Sequence, residues 1–314
     1  GEDLDGAIQQ LRQMRIRYVV FNGGNGTMRG ADIFRQHCRS TGYDVQIVGV
    51  PKTIDNDIAH TDRCPGFGSA ARYVAQSTLD LAMDIRSLPQ PVSIFETLGR
   101  DVGWLAASST AAKLLPDDAP HLVLVPEVPF SEETFLGALD GVVRRLGWAV
   151  VVVSEGISYA DGTPVFQQVV KGRNGSSNRP LIGGVAQYLS GLVNERLGIR
   201  GRSEKPGLIG RSCMAYRSPQ DVKDAELVGR AAVRALLAGE TGQMIALEPI
   251  AASRPDSTRL IPLSEAGGSQ RRIPTEWLSG EMLGVTDQFR DYIKPLIGEL
   301  SYYRNSLSRR SVRV

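Results

Sequence analysis

The chain has 314 residues, a formal net charge of +2 and 42% hydrophobic residues, a composition typical of a globular protein long enough for two lobes. Because its charge is nearly balanced and its apolar runs are only strand-length, we expect neither a nucleic acid nor a membrane as a partner. Its three cysteines, Cys38, Cys64 and Cys213, lack the spacing of metal or redox motifs, so we expect reduced thiols in a cytoplasmic protein.

Segments with strand-like and helix-like patterns alternate along the first half of the chain. We predict, in order, a helix over 3–15, a strand over 17–21, a helix from 28, a strand over 45–50, a helix ending near 86, a strand over 92–95, a helix over 103–115, a strand over 121–125, a helix over 131–146 and a strand over 148–153. This alternation predicts a mostly parallel sheet with helices on both faces.

The second half of the chain is less regular. We predict a mobile glycine-rich loop over 161–177, a helix over 183–197, a short strand over 207–211 that presents Arg211, a helix over 219–238, an irregular stretch over 264–285, a helix over 288–300 and a loose basic tail after Tyr303. The chain contains no internal repeat and no low-complexity tract.

The stretch 51–57, Pro-Lys-Thr-Ile-Asp-Asn-Asp, directly follows the apolar strand over 45–50. Open α/β sheets bind ligands at the carboxyl ends of their strands, which is where this charged cluster is expected to lie. Asp55 and Asp57 are two residues apart and would share a face on extended backbone. A carboxylate pair beside Lys52 could deprotonate a hydroxyl, anchor a cation or form a surface salt bridge, and the spacing alone leaves all three open.

A second motif is the glycine-rich turn over 22–27, between the strand over 17–21 and the next helix. A strand, a glycine-rich turn and a helix in this order place backbone amides around a phosphate group. Such a turn is also common as plain geometry at the end of a strand. Charged residues also follow two further predicted strands, Arg100 after the strand over 92–95 and Glu155 after the strand over 148–153. Charged residues at several strand ends are less readily explained by chance than a charged residue at one.

Taken together, these motifs resemble those of the phosphofructokinase family. Residues 23–27 are similar to its donor motif, residues 51–57 match its most specific motif, residues 98–100 resemble its Met-Gly-Arg motif, and residues 155–156 its Glu-Gly after a valine-rich strand. Similarity also extends through residues 65–69, 126–130 and 292–297, so it covers nearly the whole chain. It is greatest with the long bacterial pyrophosphate-type branch of the family.

The resemblance implies two α/β lobes, each a mostly parallel sheet with helices on both faces, with the sugar bound between them. It places residues 1–86 and 213–285 in a donor-binding lobe, and residues 87–212 and 286–314 in a sugar-phosphate-binding lobe. It also implies transfer of a phosphoryl group to the C1 hydroxyl of fructose 6-phosphate, which gives fructose 1,6-bisphosphate in glycolysis. Mg²⁺ as cofactor and a homo-oligomer, either dimer or tetramer, are implied as well.

The same resemblance gives roles to individual residues. It makes Asp55 the general base, with Thr53 and Asp57 flanking the transferring phosphoryl group and Arg100 as the fourth catalytic residue. The implied donor-binding residues are Gly24, Asn25, Gly26, Thr27 and Lys52. The implied substrate-binding residues are Thr53, Asp55, Leu98, Gly99, Arg100, Glu155 and Arg211, the last of which grips the 6-phosphate. Asn25 and Asp57 are implied as weak metal ligands. Phosphoryl transfer depends on positioning and charge neutralisation, which an arginine and Mg²⁺ supply.

The chain departs from the family pattern at four places. Asn25 stands where the family has a metal-associated aspartate, and an amide holds Mg²⁺ more weakly. Leu98 replaces a methionine of similar volume, and Pro91 lies near where short bacterial kinases donate an arginine to a neighbouring subunit. The chain begins at the helix before the donor motif, without the family's first strand and its glycine-rich loop. We therefore expect the natural chain to be longer at its N-terminus.

Two residues give conflicting indications about the identity of the phosphoryl donor. In pyrophosphate enzymes of the family the position of Gly26 is typically aspartate, whereas glycine leaves room for a nucleotide and so favours ATP. Lys52 is the residue with which pyrophosphate enzymes hold their donor, although some ATP-dependent branches also carry it. The balance favours ATP weakly, with a pyrophosphate-dependent phosphofructokinase as the alternative.

Two further alternatives remain open. A catalytically impaired regulatory paralogue is favoured by Asn25 and opposed by the intact Asp55 and Asp57. A lipid or NAD kinase shares the glycine-rich turn but lacks the cluster over 51–57, so that cluster discriminates against it.

Overall fold

The computed structural model describes residues 2–89, 91–168, 181–250, 257–279 and 284–303. Its helices are α1 (Glu2–Gln13), α2 (Asn25–Ser40), α3 (Phe67–Ile85), α4 (Trp104–Ser108), α5 (Glu132–Leu146), α6 (Val185–Leu197), α7 (Pro219–Leu237), α8 (Leu263–Ala266) and α9 (Asp287–Ile297). Its strands are β1 (Tyr18–Gly23), β2 (Gln46–Pro51), β3 (Val92–Thr97), β4 (Leu122–Leu124), β5 (Ala149–Ser154), β6 (Gln167–Gln168), β7 (Leu181–Ile182), β8 (Gly201–Glu204), β9 (Gln243–Leu247), β10 (Thr258–Pro262), β11 (Leu278–Ser279) and β12 (Gly284–Val285). Within these ranges, the structure contains no helix with the length and apolar character needed to span a bilayer.

The first of two four-stranded sheets has the strand order β1-β2-β9-β10. β1, β2 and β9 are parallel, and β10 runs antiparallel at one edge. Helices α1, α2 and α8 pack on one face of this sheet, around Phe34, Ile47 and Met244. Helix α7 covers the other face, where Val228 lies in one apolar cluster with Val48. Because both faces are covered, β2 is a nearly continuous apolar run instead of an alternating one.

The second four-stranded sheet has the order β4-β5-β3-β8, and all of its strands are parallel. Helices α5 and α6 pack on one face, where Phe135 and Leu189 contribute to a cluster with Ile94. Helices α3, α4 and α9 pack on the other face, with Trp104 and Phe289 in their shared core. β6 pairs with β7, and β11 with β12, as two small antiparallel ladders.

Two sheets, each mostly parallel and covered by helices on both faces, confirm the fold class predicted from the sequence. The predicted lobe boundaries at 86, 213 and 285 remain a proposal. Helix α3, which that division assigns to the first lobe, packs against the second sheet.

Three predicted elements differ in the structure. Residues 207–211 form a 3₁₀ helix instead of a strand, because Pro206 already has helical dihedral angles and lacks the N–H that a ladder needs. The helix predicted over 103–115 is short and gives way to a 3₁₀ turn at Ser109–Ala112. The hydroxyls of Ser108 and Ser109 donate to carbonyls three residues back, which competes with regular helical bonding. The stretch over 264–285, predicted as irregular, contains α8 and the β11–β12 ladder.

Strands β9 and β10 had no counterpart among the predicted elements. The predicted loop over 161–177 lies partly, and the basic tail after Tyr303 entirely, outside the described residues.

Candidate active site

The two turns singled out in the sequence lie side by side. β1 and β2 are parallel with Gly23 opposite Pro51, so both strands end at the same edge of the first sheet. The backbone N–H of Lys52 donates to the carbonyl of Gly23 over 3.0 Å. Thr53 forms an isolated bridge with Gly66 and accepts a hydrogen bond from the N–H of Asp55 at its hydroxyl, 3.1 Å away. These bonds fix the start of the acidic turn against the glycine-rich turn.

Asn25 joins the two turns through its side chain. Its Nδ2 donates to a carboxylate oxygen of Asp57 over 2.7 Å and to the carbonyl of Asp57 over 3.1 Å. Its Oδ1 is buried and has no hydrogen-bond partner among the described residues. A buried amide oxygen without a partner beside a carboxylate is a position at which a cation or a ligand donor would be satisfied.

The first turn of α2 offers its amides to a ligand. Gly24 is the N-cap residue of α2, and within the described part of the chain neither a side-chain cap nor an acidic residue occupies that first turn. Orphan N–H groups and the positive end of the helix dipole favour an anion at such a place. A Cβ on Gly26 would meet no atom within 4 Å among the described residues, so this position is open.

Asp55 lies in an environment that disfavours its charge. Burial, together with the negative charges of Asp57 and Asp101, raises its pKa from the ordinary 3.8 to about 6, against the opposing charges of Arg211 and Lys52. A carboxylate with a pKa near 6 is ionised at neutral pH and still basic enough to accept a proton. Arg211 and Lys52 therefore act on the same carboxylate, although they lie far apart in the sequence.

Burial also raises the pKa of Asp57, while hydrogen bonds from its own backbone and from the side chains of Asn25 and Gln270 lower it. The hydrogen bonds thus favour the ionised carboxylate that a cation would need.

The second sheet contributes its strand ends in the same way. β3 and β5 are parallel with Thr97 opposite Ser154, and the N–H of Glu155 donates to the carbonyl of Thr97 over 3.0 Å. The hydroxyl of Ser154 donates to the carbonyl of Gly99, whose φ of 129° suits glycine. A Cβ on Gly156 would lie 1.7 Å from the carbonyl oxygen of Arg100, so only glycine permits this approach.

Glu155 connects the second sheet electrostatically with the base. Burial raises its pKa, as does the negative charge of Glu96, whereas Lys205 and the N–H of Gly99 lower it. Asp55 is a further contributor that raises the pKa of Glu155. The two carboxylates therefore lie within electrostatic range of each other, at strand ends of different sheets.

The structure brings most of the predicted residues to one place. Asp55 is grouped by contact or charge with Lys52, Thr53, Asp57, Asn25, Arg211 and Glu155. Arg100 is exposed, and its backbone carbonyl packs closely against Gly156. Leu98 packs against the core with its side chain, which leaves its backbone for any substrate contact.

Three residues that the sequence analysis did not propose lie around these side chains: Glu96, Lys205 and Asp101. The buried carboxylate of Glu96 accepts from the N–H groups of Gly184 and Ala186 at the start of α6 and pairs with Lys205 at 2.9 Å. Asp101 contributes to the pKa of Asp55. Glu96 is the second-last residue of β3. Its position near the end of a strand is the sequence feature that could have identified it.

Metal ligands are few in this arrangement. In the ranges that the structure describes, no group of three or more His, Cys, Asp or Glu side chains could hold a metal ion. The oxygen ligands at the junction of the two turns are the carboxylate of Asp57 and the free Oδ1 of Asn25. Mg²⁺ commonly binds one or two protein carboxylates together with substrate phosphates, so these residues fit it.

An α/β fold in which an uncapped helix start, buried carboxylates and the cations Lys52 and Arg211 meet at the strand ends is the arrangement expected of a phosphoryl-transfer enzyme. The family model for phosphofructokinase matches residues 1–236. The pyrophosphate--fructose 6-phosphate 1-phosphotransferase of Xanthomonas campestris pv. campestris is 37% identical over 295 residues, which cover 92% of this chain and 70% of that protein. The crystal structure of a pyrophosphate-dependent phosphofructokinase from Marinobacter aquaeolei superposes with a TM-score of 0.84 at 34% identity, covering 95% of this chain and 72% of that one. The chain belongs to the phosphofructokinase family and is a phosphotransferase of that type.

A more distant relative bears on the donor. The ATP-dependent 6-phosphofructokinase of Amycolatopsis methanolica is 31% identical over 256 residues, covering 78% of this chain and 54% of that protein. The comparisons therefore favour the pyrophosphate alternative over the weak preference for ATP that the sequence suggested. They confirm the resemblance to the pyrophosphate-type branch, and they contradict the alternative of a lipid or NAD kinase.

Proposed function

We propose that this protein transfers a phosphoryl group from pyrophosphate to the C1 hydroxyl of fructose 6-phosphate, giving fructose 1,6-bisphosphate. One observation carries the chemistry: Asp55, a carboxylate with a pKa near 6, belongs to the turn whose Asp57 is hydrogen-bonded to Asn25 at the start of the uncapped helix α2. The donor is supported by the relatives, among which the pyrophosphate-using protein matches more of this chain, and at higher identity, than the ATP-using one.

In this proposal Asp55 accepts the proton of the C1 hydroxyl as that oxygen attacks one phosphorus of pyrophosphate. The bond from that phosphorus to the bridging oxygen breaks, and inorganic phosphate leaves with the electron pair. Lys52 and the amides at the start of α2 bind donor phosphate, and Arg211 binds the 6-phosphate of the sugar. Glu155 accepts hydrogen bonds from sugar hydroxyls. Arg100, Thr53 and the backbone of Leu98 and Gly99 hold the sugar and the transferring group.

Asp57 and the Oδ1 of Asn25 would hold Mg²⁺. An ion held there would supply neutralisation of the negative charge on the donor phosphates. The pair carries one negative charge where an aspartate at position 25 would give two. We therefore expect this site to depend on the donor for much of its affinity for the ion.

ATP is the second candidate donor, and the space around Gly26 is the observation that favours it. Turnover of fructose 6-phosphate with each donor, measured side by side in the presence of Mg²⁺, decides between the two. We expect a higher kcat/KM with pyrophosphate. A higher kcat/KM with ATP would reverse the assignment, and absence of turnover with both donors would return the regulatory paralogue to first place.

Three coarser expectations belong to the same proposal. A cytoplasmic location is supported by three free cysteines, Cys38, Cys64 and Cys213. Assembly into a dimer or tetramer stays a prediction that light scattering on the purified protein tests. The division into a donor lobe and a sugar lobe, with boundaries near 86, 213 and 285, is also proposed.

A further inference from the structure

Asn56 lies between the two aspartates of the acidic turn and has an unusual backbone. It is completely buried, with a φ of 55°, in the left-handed region that asparagine tolerates better than most residues. On extended backbone Asp55 and Asp57 would share a face. With a left-handed residue between them, Asp57 meets Asn25 while Asp55 lies in the field of Arg211 and Lys52.

The side chain of Asn56 is held at both ends. Its Oδ1 accepts from the N–H of Cys64 over 3.1 Å, and its Nδ2 donates to the hydroxyl of Tyr292 in α9 over 2.8 Å. That hydroxyl donates to the carbonyl of Asp62 over 2.8 Å and accepts from Arg271 over 3.3 Å. The phenol thus uses its one proton and both of its lone pairs, which fixes its orientation.

Arg271 holds the other side of the same turn. Its backbone N–H donates to the carbonyl of Asp57 over 2.8 Å. Its guanidinium lies 4.3 Å from the ring centroid of Trp104 and 5.4 Å from that of Tyr292, and the indole N–H of Trp104 donates to its carbonyl over 3.1 Å. The two residues that follow Asp55 in the turn, Asn56 and Asp57, are therefore tied to α9 and α4.

We propose that Tyr292, acting through Asn56 and together with Arg271, is a positioning residue that sets the directions of the Asp55 and Asp57 carboxylates. None of these three residues needs to touch the substrate. The proposal rests on the proposed role of Asp55 as the base. It gives the C-terminal helix α9 a part in catalysis, and it explains why an asparagine stands between the two aspartates.

Two substitutions test the unit. Tyr292→Phe removes the hydroxyl that Asn56, Asp62 and Arg271 share. Asn56→Gly removes both side-chain hydrogen bonds and keeps a residue that accepts positive φ, so it separates the hydrogen bonds from backbone strain. Tyr302→Phe is the matched control, because the hydroxyl of that half-exposed tyrosine donates only to the carbonyl of Ala111 among the described residues.

We expect kcat to fall by about tenfold or more in both variants, with KM for fructose 6-phosphate within about twofold of the parent. The control should keep both constants. A purely structural role would lower the melting temperature and leave kcat per folded molecule unchanged, and that result would overturn the proposal.

A second measurement does not depend on activity. Hydrogen exchange followed by NMR measures how well the N–H of Asp55, which donates to the hydroxyl of Thr53, is protected from water. Because both substitutions loosen the turn, this amide should exchange about tenfold or more faster in both variants, whereas Tyr302→Phe should leave its exchange rate unchanged.

The two measurements separate the proposals. If the parent protein turns over no sugar phosphate with either donor, the proposed function fails, while the exchange rate of the Asp55 amide still decides whether Tyr292 holds the turn. If the parent is active and both variants keep its kcat and its exchange rate at Asp55, the positioning role is wrong.

Discussion

The substitution Asp55→Asn should have two opposite effects, a loss of activity and a gain in stability. Asparagine keeps the shape and the N–H of residue 55, which bonds to Thr53, but it cannot accept a proton from the sugar. We expect kcat to fall by about 10²-fold or more while binding of fructose 6-phosphate survives.

The gain in stability follows from the raised pKa of Asp55. In the folded protein this pKa is about 6, against an ordinary value of 3.8. Below pH 4 the group is protonated in both the folded and the unfolded chain, and its effect on stability is constant. As the pH rises through 6 the folded protein must hold an ionised carboxylate that burial disfavours, so stability is lost. A difference of about two units corresponds to about 3 kcal/mol above pH 7, at about 1.4 kcal/mol per unit.

Melting temperatures of the parent and Asp55→Asn between pH 4 and pH 8 measure this term. The variant should be the more stable protein at pH 8, and its advantage should stay nearly constant down to about pH 6 and then shrink as the pH falls toward 4. Asp44→Asn is the control, because the Asp44 side chain is 94% exposed and should give no such pH dependence. If the variant is inactive but has the same stability as the parent at both pH 4 and pH 8, burial does not destabilise the ionised Asp55 carboxylate. The argument that the pKa of Asp55 is raised toward neutral pH would then be wrong.

Three further substitutions test the rest of the site. Gly26→Asp points a carboxylate into open space, so the fold should persist while kcat/KM falls more with ATP than with pyrophosphate; equal losses would mean that position 26 does not select the donor. Arg211→Ala should raise KM for fructose 6-phosphate by about 30-fold or more, equivalent to about 2–3 kcal/mol, and leave KM for the donor nearly unchanged; an unchanged sugar KM would assign Arg211 to charge balance alone. Asn25→Asp replaces a donor 2.7 Å from an Asp57 oxygen by a second carboxylate, so melting in EDTA should occur at a lower temperature than in the parent and Mg²⁺ should restore it; no response to Mg²⁺ would argue against a cation at this junction.

Local sequence was enough to predict the strand, turn and helix that build the donor site. The apolar run ending at Pro51 and the glycines at 23 and 24 each carry their structure in neighbouring residues. β9 could not be placed in this way, because its partner β2 lies nearly 200 residues earlier in the chain and only the assembled sheet brings them together. Such long-range pairing leaves no periodic signal in the sequence.

The same distinction applies to the site. Asp55 and Asp57 were found because they follow a strand directly. Lys205 was not found, because its importance depends on Glu96, which lies more than 100 residues away and reaches it only across the β3–β8 pairing. Arg211 was proposed from family resemblance, and its charge does act on Asp55, although a 3₁₀ helix instead of a strand carries it there.

The amide at position 25 makes sense in view of the charges that surround the base. Asp57, Asp101 and burial already raise the pKa of Asp55 to about 6, against the opposing charges of Lys52 and Arg211. A second carboxylate at position 25, hard against Asp57, would raise the pKa of Asp57 whenever no cation lies between them. Asn25 instead donates to Asp57 and lowers its pKa. Asparagine at position 25 therefore opposes the effect of burial on the Asp57 carboxylate, whereas a second carboxylate there would add to that effect.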